Sequence, residues 1–400
     1  MPLTRIRWVP PVLYALLAIV LATACAHTRE RQSASASASN ASPWALPTST
    51  MRWNEYALDL IARNQIGQFP SARTLAYTNL AINNAIVVAR QQGRKPDGAA
   101  AGAAATVLAF VFPKEEQAIA SRLAGETAAL GPDGRPDFAD GVEIGRVVAV
   151  NVITAAKEDR AGATWSGTVP REPDKWASQS QPPRPPLGPQ LGGIRPFFMT
   201  SGSEFRPPAP PANDSPAFKT AVAEVRVVSD KRTGEQLRIA QYWENLTGAY
   251  AAGLWNEVAR SAISAHGLGE SESARVLAMM HMVGVDAFIA CHDAKYTYWL
   301  PRPTQVDPGI RLAIGLPNHP SYPSNHACVS GAMGLVLDGH FPDEGGRYFA
   351  MGRQAGESRI YAGIHYRFDL DEGYGIARKL SARALQTGIP ADRPFTPLGR

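Results

Sequence analysis

The sequence predicts an all-α protein built on helical bundles, interrupted by a long proline-rich excursion. From Met51 onward, apolar residues recur at spacings of three and four, which places them on one face of a helix. Alternating apolar and polar residues, the pattern of a half-buried strand, are almost absent. With 400 residues and 45% hydrophobic content, the chain is long enough to bury a large core between two sets of helices.

The N-terminus has the features of an export signal. Arg5 and Arg7 precede an apolar run from Val9 to Ala22, and Ala24-Cys25-Ala26 follows as a cleavage site of small residues. The run is short for a membrane span. Residues 1–26 are therefore predicted to be a signal peptide of an exported protein, periplasmic or extracellular. Lipidation of Cys25 after cleavage is the alternative, which would make the protein a membrane-tethered lipoprotein.

Composition divides the rest of the chain into four segments. Residues 27–50 are rich in Ser and Ala and are predicted to be a disordered tether. Residues 51–163 are predicted to form N-terminal helices, and 217–390 a C-terminal helical region that carries the functional site. Between them, 164–216 contains 13 of the 33 prolines and no periodicity. This predicts an extended loop, because proline removes a hydrogen-bond donor and fixes φ.

The periodicity also predicts individual helices in both regions. In the first helix, Trp53, Tyr56, Leu60 and Ile61 share one face. Further N-terminal helices are expected at Ala72–Val88, Ala101–Phe112, Glu115–Leu130 and Phe138–Lys157. C-terminal helices are expected at Ser215–Val228, Gly234–Asn245, Ala249–His266, Ser271–His292, Ser324–Gly339, Gly345–Glu357 and Glu372–Thr387.

Charge and cysteine content exclude several classes of protein. The net charge of +5 includes no basic run, so no nucleic-acid partner is predicted. The three cysteines form no C-x-x-C motif and give no disulfide framework. With Cys25 in the signal, Cys291 and Cys328 are predicted to be buried free thiols, with a bridge between them as the alternative. The sequence indicates no oligomeric state.

Three short blocks in the C-terminal region carry the groups that hold a tetrahedral or trigonal-bipyramidal oxyanion. Arginine contacts such oxygens bidentately and stays charged, while lysine supplies a point charge. One imidazole can bond to the central atom, and another can move protons. The candidate residues are Lys295, Arg302, Ser324, Asn325, His326, Arg359 and His365, with Asp369 in support.

Helix geometry predicts how two of these blocks are placed. Lys295 extends the apolar stripe of Met280, Gly284, Ala287 and Cys291 by four residues, so its ammonium is expected to point toward the core if the helix reaches it. A cation there also suits the negative end of the helix dipole. Ser324 precedes an apolar run and is predicted near an N-cap, where free N–H groups bind anions. A plain cap without a ligand is the alternative.

The third block is predicted to hold a histidine in a fixed tautomer. Arg359 and His365 flank Tyr361-Ala-Gly363, a segment expected to be a loop or the end of a helix. Asp369 follows His365 by four residues. A carboxylate in that position accepts the distal ring N–H and fixes the tautomer of a ligating imidazole.

The three blocks resemble the signature of the superfamily that contains vanadium-dependent haloperoxidases and type-2 phosphatidic acid phosphatases. The stretch from Trp165 to Glu244 is also similar to bacterial haloperoxidase-type members. That similarity lies in Ile194-Arg-Pro-Phe197, Phe205-Arg-Pro-Pro208, Pro210-Pro-Ala212 and Gln241-Tyr-Trp-Glu244. The resemblance covers roughly residues 50–390.

The resemblance implies a role for each candidate residue. His365 becomes the axial ligand of vanadate, the one metal ligand from the protein, and His326 the acid–base group that deprotonates hydrogen peroxide. The cations neutralise the vanadate oxygens, and Ser324 and the backbone N–H of Asn325 donate to them. The family usually has Gly where this chain has Asn325, whose side chain would crowd the oxyanion or add a hydrogen bond. The cation positions are Lys295, Arg302 and Arg359.

Two reactions suit such a site. As a vanadium haloperoxidase, the protein would use vanadate to oxidise a halide with hydrogen peroxide. His319 stands where bromide- and iodide-oxidising members often have His, which implies one of those halides and a place for His319 in the catalytic site. The alternative is an acid phosphatase that needs no cofactor, with a small phosphoester attacked by His365 and its leaving group protonated by His326. A non-catalytic oxyanion-binding protein is the third possibility.

Overall fold

The computed structural model describes residues 47–244 and 250–399. Within these residues the chain forms α-helices and short 3-10 turns and no β-strand, which confirms the predicted all-α fold. The helices before the proline-rich excursion are α1 (Ser49–Asn64), α2 (Gln68–Gln91), α3 (Pro96–Val111), α4 (Glu116–Ala129) and α5 (Arg135–Glu158). Those after it are α6 (Pro216–Lys231), α7 (Gly234–Tyr242), α8 (Tyr250–Ala265), α9 (Glu270–Tyr298), α10 (Pro303–Val306), α11 (Asn325–His340), α12 (Arg347–Ala362) and α13 (Arg367–Thr387).

Several sequence predictions fall on residues outside the described ranges. The predicted signal peptide at 1–26 lies there, with Cys25, and so does the predicted tether up to residue 46. The predicted helix ends at Asn245 and Ala249 lie there too. These predictions stay untested.

The end of the predicted tether belongs to α1 instead. Ser49 and Thr50 are buried, and their N–H groups each donate to the Glu270 carboxylate at 2.7 Å. The Thr48 hydroxyl accepts from the N–H of Met51 as an N-cap. The predicted boundary was wrong because Glu270, which satisfies the first helical donors, lies far away in the sequence.

Helix α9 is the centre of the core. It packs against α2 from the N-terminal set and against α11 and α13 from the C-terminal set. Among the described helices it is the one apolar and long enough to cross a membrane, and 94% of its apolar window is buried. Its burial is that of a core helix in a folded protein.

The proline-rich excursion between α5 and α6 is fixed to α9 by a buried carboxylate. Asp286 accepts from the N–H of Phe197 at 2.8 Å and from that of Phe198 at 2.6 Å. Further along, the Tyr298 and Tyr322 hydroxyls donate to backbone carbonyls of the excursion. The excursion is thereby held against the C-terminal end of α9, next to the candidate site.

Replacing Asp286 with alanine is expected to lower the free energy of unfolding by about 2–4 kcal/mol, because two buried N–H groups lose their acceptor. Chemical denaturation monitored by circular dichroism measures this. The matched control is Asp293→Ala on the same helix. Asp293 forms a partly exposed ion pair with Arg206, so its loss is expected to cost no more than about 1 kcal/mol. Equal losses in the two variants would contradict an anchoring role for Asp286.

Glycines let α11, α12 and α13 approach closely enough to assemble the site. A Cβ at Gly373 would lie 2.7 Å from the Ala327 Cβ, and a Cβ at Gly352 would lie 2.6 Å from the Ser330 carbonyl oxygen. Both distances are shorter than the contacts that real Cβ atoms make, so a side chain at either position would push the helices apart. The close approach brings the first turn of α11 beside the first turn of α13, where the Ser324 N–H donates to the Asp369 carbonyl at 2.9 Å.

Candidate oxyanion site

His365 lies in the short connection between α12 and α13, and Asp369 in the first turn of α13 holds it. Its Nδ1–H donates to the Asp369 carboxylate at 2.7 Å, and the Ser321 hydroxyl and Tyr366 N–H donate to the same oxygen. Burial raises the pKa of Asp369 to about 6, so it is a carboxylate at neutral pH. The hydrogen bond places the His365 proton on Nδ1 and leaves a lone pair on Nε2.

Arg302 contacts that lone pair directly. Its Nη1 donates to His365 Nε2 at 3.0 Å and to the Ile364 carbonyl at 2.7 Å. Because a guanidinium has no acceptor, this contact independently requires an unprotonated Nε2. The other donors of Arg302 bind the carbonyl oxygen and Nδ1 of His319. Burial lowers the pKa of Arg302 to about 10, which leaves it charged at neutral pH.

Lys295 lies in the last turn of α9, because the helix continues past the predicted end at His292. Its side chain is fully buried and points toward the core, as predicted. All three ammonium donors are taken by backbone carbonyls, those of Pro320, Ser321 and Pro323. Lys295 therefore contributes its charge and braces the segment that leads into α11.

Lys295 also makes anion binding sensitive to pH. Burial lowers its pKa to about 8, and the charge of Arg302 acts in the same direction. Lys295 is thus charged below about pH 8 and neutral above it, so anion affinity is expected to fall as pH rises through 8, by up to about tenfold per pH unit. Molybdate is a suitable calorimetric probe, since it does not titrate in this range. Lys295→Met is expected to bind more weakly and to lose this pH dependence; an unchanged profile would contradict the assignment.

Arg359 lies in the last turn of α12, which confirms the helix-end alternative for this segment. The helix runs to Ala362, beyond the predicted end at Glu357, and stops at Gly363 with φ 81°. Arg359 Nη1 pairs with Glu244 at 3.0 Å, and Nη2 donates to the Ala240 carbonyl. This ties α12 to the end of α7 and gives Glu244 a positioning role that the sequence motif alone did not reveal.

The N-terminus of α11 supplies neutral donors. Ser324 occupies the N-cap position, but its hydroxyl makes no capping bond. The hydroxyl is fully buried and has no partner among the described residues. The first N–H groups of a helix also have no intrahelical acceptor. Ser324 therefore makes no side-chain cap, and its hydroxyl, with the first N–H groups of α11, is available to donate to an anion.

His326, in the first turn of α11, is held by the end of α7. Its Nε2–H donates to the Trp243 carbonyl at 3.0 Å, which leaves Nδ1 as the basic nitrogen. Burial lowers the pKa of His326 well below its usual value, and the charge of Arg359 lowers it further. His326 is therefore neutral at neutral pH.

His319 belongs to the site and not to a surface loop. It is 7% exposed, and its Nδ1 accepts from Arg302 at 3.0 Å, which places its proton on Nε2. Its ring lies 5.7 Å from that of His292, a buried residue that sequence reasoning left without a role. Burial, then the charges of Lys295 and Arg302, lower the pKa of His319 well below its usual value.

These residues surround a cavity of about 280 Å³. Its volume accommodates a tetrahedral anion together with a second small molecule. The polar groups on its wall are His319, Glu244, Asn325, His326, Arg359 and His365. Leu187 of the excursion and Tyr250 of α8 also line it. Lys295, Arg302 and Ser324 are fully buried around this wall.

The chemistry of the site fits an oxyanion better than a cation. Across residues 47–244 and 250–399, no cluster of three or more His, Cys, Asp or Glu could hold a metal ion. The site instead gathers cations, the unpartnered hydroxyl of Ser324 and the unprotonated Nε2 of His365, which are groups that suit an oxyanion. Nearby, Cys291 and Cys328 are buried and free, as predicted.

The fold and the site together define an all-α protein with a buried cluster of cations and histidines. No family model matches the chain, and no curated protein matches it. The structure is similar to the first bacterial vanadium-dependent iodoperoxidase, with a TM-score of 0.71 and 23% identity over 83% of this chain and 95% of that one. It is also similar to a bacterial vanadium-dependent chloroperoxidase. The holo form gives a TM-score of 0.65 and 16% identity over 86% of this chain and 96% of that one.

The apo form of the chloroperoxidase gives a TM-score of 0.62 and 16% identity over 80% of this chain and 96% of that one. The chain therefore has the fold of the bacterial vanadium-dependent haloperoxidases, which the resemblance of the sequence blocks had predicted. At this level of identity the likeness establishes the fold, and the argument for function rests on the site residues.

Proposed function

We propose that the protein is a vanadium-dependent haloperoxidase that oxidises bromide or iodide with hydrogen peroxide. The observation that carries this proposal is His365 Nε2, kept unprotonated by Asp369 and contacted by Arg302, in a chain with the haloperoxidase fold. The export signal predicted at residues 1–26 supports action outside the cytoplasm, with Cys25 as the possible site of a lipid anchor.

The residues of the cage divide into one ligand and several charge-stabilising groups. His365 Nε2 would bind the vanadium, while Arg302, Arg359 and Lys295 balance the charge of the oxygens and Ser324 donates its free hydroxyl. Bound vanadate supplies a Lewis acid that activates hydrogen peroxide toward a halide. Lys295 and Arg359 are already buried and fixed by backbone carbonyls, so they need little reorganisation when charge develops. Arg302 Nη1, which donates to His365 Nε2 in this structure, would have to release that nitrogen before it binds vanadium.

His326 is proposed to move the proton of hydrogen peroxide. Its Nε2–H is fixed on the Trp243 carbonyl, so Nδ1 is the nitrogen that accepts a proton in the cavity. The neutral state that burial and Arg359 impose is the state a general base needs. When the halide takes one oxygen of peroxide and the O–O bond breaks, His326 can return the proton to the other oxygen.

His319 supports the proposed preference for bromide or iodide. Its ring lines the cavity, and its Nε2–H is left as a donor because Nδ1 accepts from Arg302. The assignment rests on the sequence resemblance, in which bromide- and iodide-oxidising members often have His at this place.

The proposal is tested by halogenation of a trap molecule. The purified protein is dialysed against orthovanadate and mixed with hydrogen peroxide and chloride, bromide or iodide in separate reactions. Hydrolysis of a chromogenic phosphomonoester is measured in parallel with and without vanadate, because a phosphatase would use the same residues. We expect vanadate-dependent halogenation with bromide and iodide. Hydrolysis inhibited by vanadate, without halogenation, would refute the proposal in favour of the phosphatase.

A further inference from the structure

We propose that the side-chain oxygen of Asn325 recognises a hydroxyl on the bound oxyanion, so that the cage prefers anions that carry a proton. The inference rests on the proposed function, because it assumes that the cavity holds a tetrahedral oxyanion. Asn325 would then select among anions, at a position where the resembling family usually has Gly.

The position of Asn325 points to such a contact. It is the first residue of α11 and 8% exposed. Its side chain lines the same cavity wall as His326, Arg359 and His365. Its Oδ1 is buried and has no hydrogen-bond partner in the described part of the chain. A glycine would leave this part of the wall without a polar side chain.

An unpartnered buried acceptor is costly, and this one lies among donors. Leaving a buried carbonyl oxygen without a donor costs about 1–3 kcal/mol. The neighbouring hydroxyl of Ser324 is also buried and unpartnered, and the Arg359 guanidinium lies on the same cavity wall, paired with Glu244. A ligand that satisfies both groups must accept from Ser324 and donate to Asn325. A tetrahedral oxyanion with one protonated oxygen does both.

This requirement separates anions that otherwise have the same shape. At neutral pH, phosphate and vanadate each retain at least one hydroxyl, whereas sulfate retains none. Oδ1 would accept a hydrogen bond from the first two and face a bare oxygen of the third. If the amide instead turned its Nδ2 toward the ligand, it would donate to all three anions alike. The two orientations therefore predict different patterns of selectivity.

Calorimetric titration of three anions distinguishes these patterns. Inorganic phosphate, dilute orthovanadate and sulfate are titrated separately into the wild-type protein, Asn325→Ala and Ser330→Ala. We expect Asn325→Ala to weaken phosphate and vanadate binding about tenfold, the effect of one buried hydrogen bond, and to change sulfate binding less than about twofold. Ser330→Ala removes another buried, unpartnered hydroxyl of α11, five residues further along the helix than Asn325, and it is expected to change none of the three.

The outcomes separate this inference from the proposed function. Equal weakening for all three anions, or no weakening, would overturn the assignment of Oδ1. A wild-type protein that binds none of the three would overturn the oxyanion site itself. Thermal unfolding of each variant checks that the fold is intact, and Asn325→Gly provides a second variant if the alanine form does not fold. It is expected to lose the preference for phosphate over sulfate to the same extent.

Discussion

Replacing His365 with alanine is expected to reduce vanadate-dependent halide oxidation by about 10³-fold or more, because the variant loses the one protein atom placed to bind vanadium. The same change is expected to weaken phosphate binding by only about tenfold. The cations and the Ser324 hydroxyl, which remain, hold an oxyanion without a covalent bond. Steady-state halogenation rates and phosphate calorimetry on the same preparation measure the two effects.

His266→Ala is the matched control for this experiment. His266 is partly exposed, follows α8 and pairs with Asp343, so its loss is expected to change halogenation less than about twofold. If His365→Ala retained most of its vanadate-dependent activity, His365 would not be the ligand. If it lost phosphate binding as completely as activity, the variant would have lost the whole cage.

Removal of Asp369 is expected to have the next largest effect. Asp369→Ala deprives His365, Ser321 and Tyr366 of their common acceptor. The imidazole is then free to rotate and to place its proton on Nε2. Vanadate affinity is expected to fall by about 100-fold, the upper part of the usual range for a residue that orients a metal ligand. Calorimetric titration of vanadate gives the affinity directly.

Asp369→Asn provides the informative comparison. The Tyr366 N–H and the Ser321 hydroxyl require an oxygen at the position they now contact, so the amide oxygen is expected to take that position. The amide nitrogen would then replace Oδ1, which is unpartnered in the described structure. The tautomer of His365 is thereby kept, and vanadate affinity is expected to fall less than about tenfold.

Two outcomes would change the account of Asp369. An asparagine variant as defective as the alanine variant would show that the negative charge, and not the hydrogen-bond geometry, is essential. The exposed carboxylate of Asp371, on the same helix, gives a control. Its change to asparagine is expected to leave vanadate affinity within about twofold.

Helical periodicity predicted the fold class and the direction of Lys295. The stripe from Met280 to Cys291 continues to Lys295 at a spacing of four, and this local rule holds because α9 does not break before Tyr298. The partners of Lys295 were not predictable in the same way. They are carbonyls of Pro320, Ser321 and Pro323, which only the tertiary fold brings beneath it.

Other contacts of the site could not be predicted from the sequence for the same reason, because they join residues far apart in the chain. The pairing of Arg359 with Glu244 joins residues 115 positions apart, and no local pattern encodes it. The sequence left residues 361–363 open between a loop and a helix end, because the segment before Gly363 has mixed polarity. Asp286 could have been noticed, since a carboxylate in the buried, apolar middle of a helix needs donors, but its partners in the excursion could not have been named.

Titration of vanadium-free protein with orthovanadate, followed by the rate of bromide or iodide oxidation, tests the central claim most directly. The account predicts that the rate rises with added vanadate until about one equivalent per chain is bound and then becomes constant, because one imidazole binds one vanadium. Protein that shows no halide oxidation at any vanadate concentration, while vanadate inhibits its hydrolysis of a phosphomonoester, would contradict it.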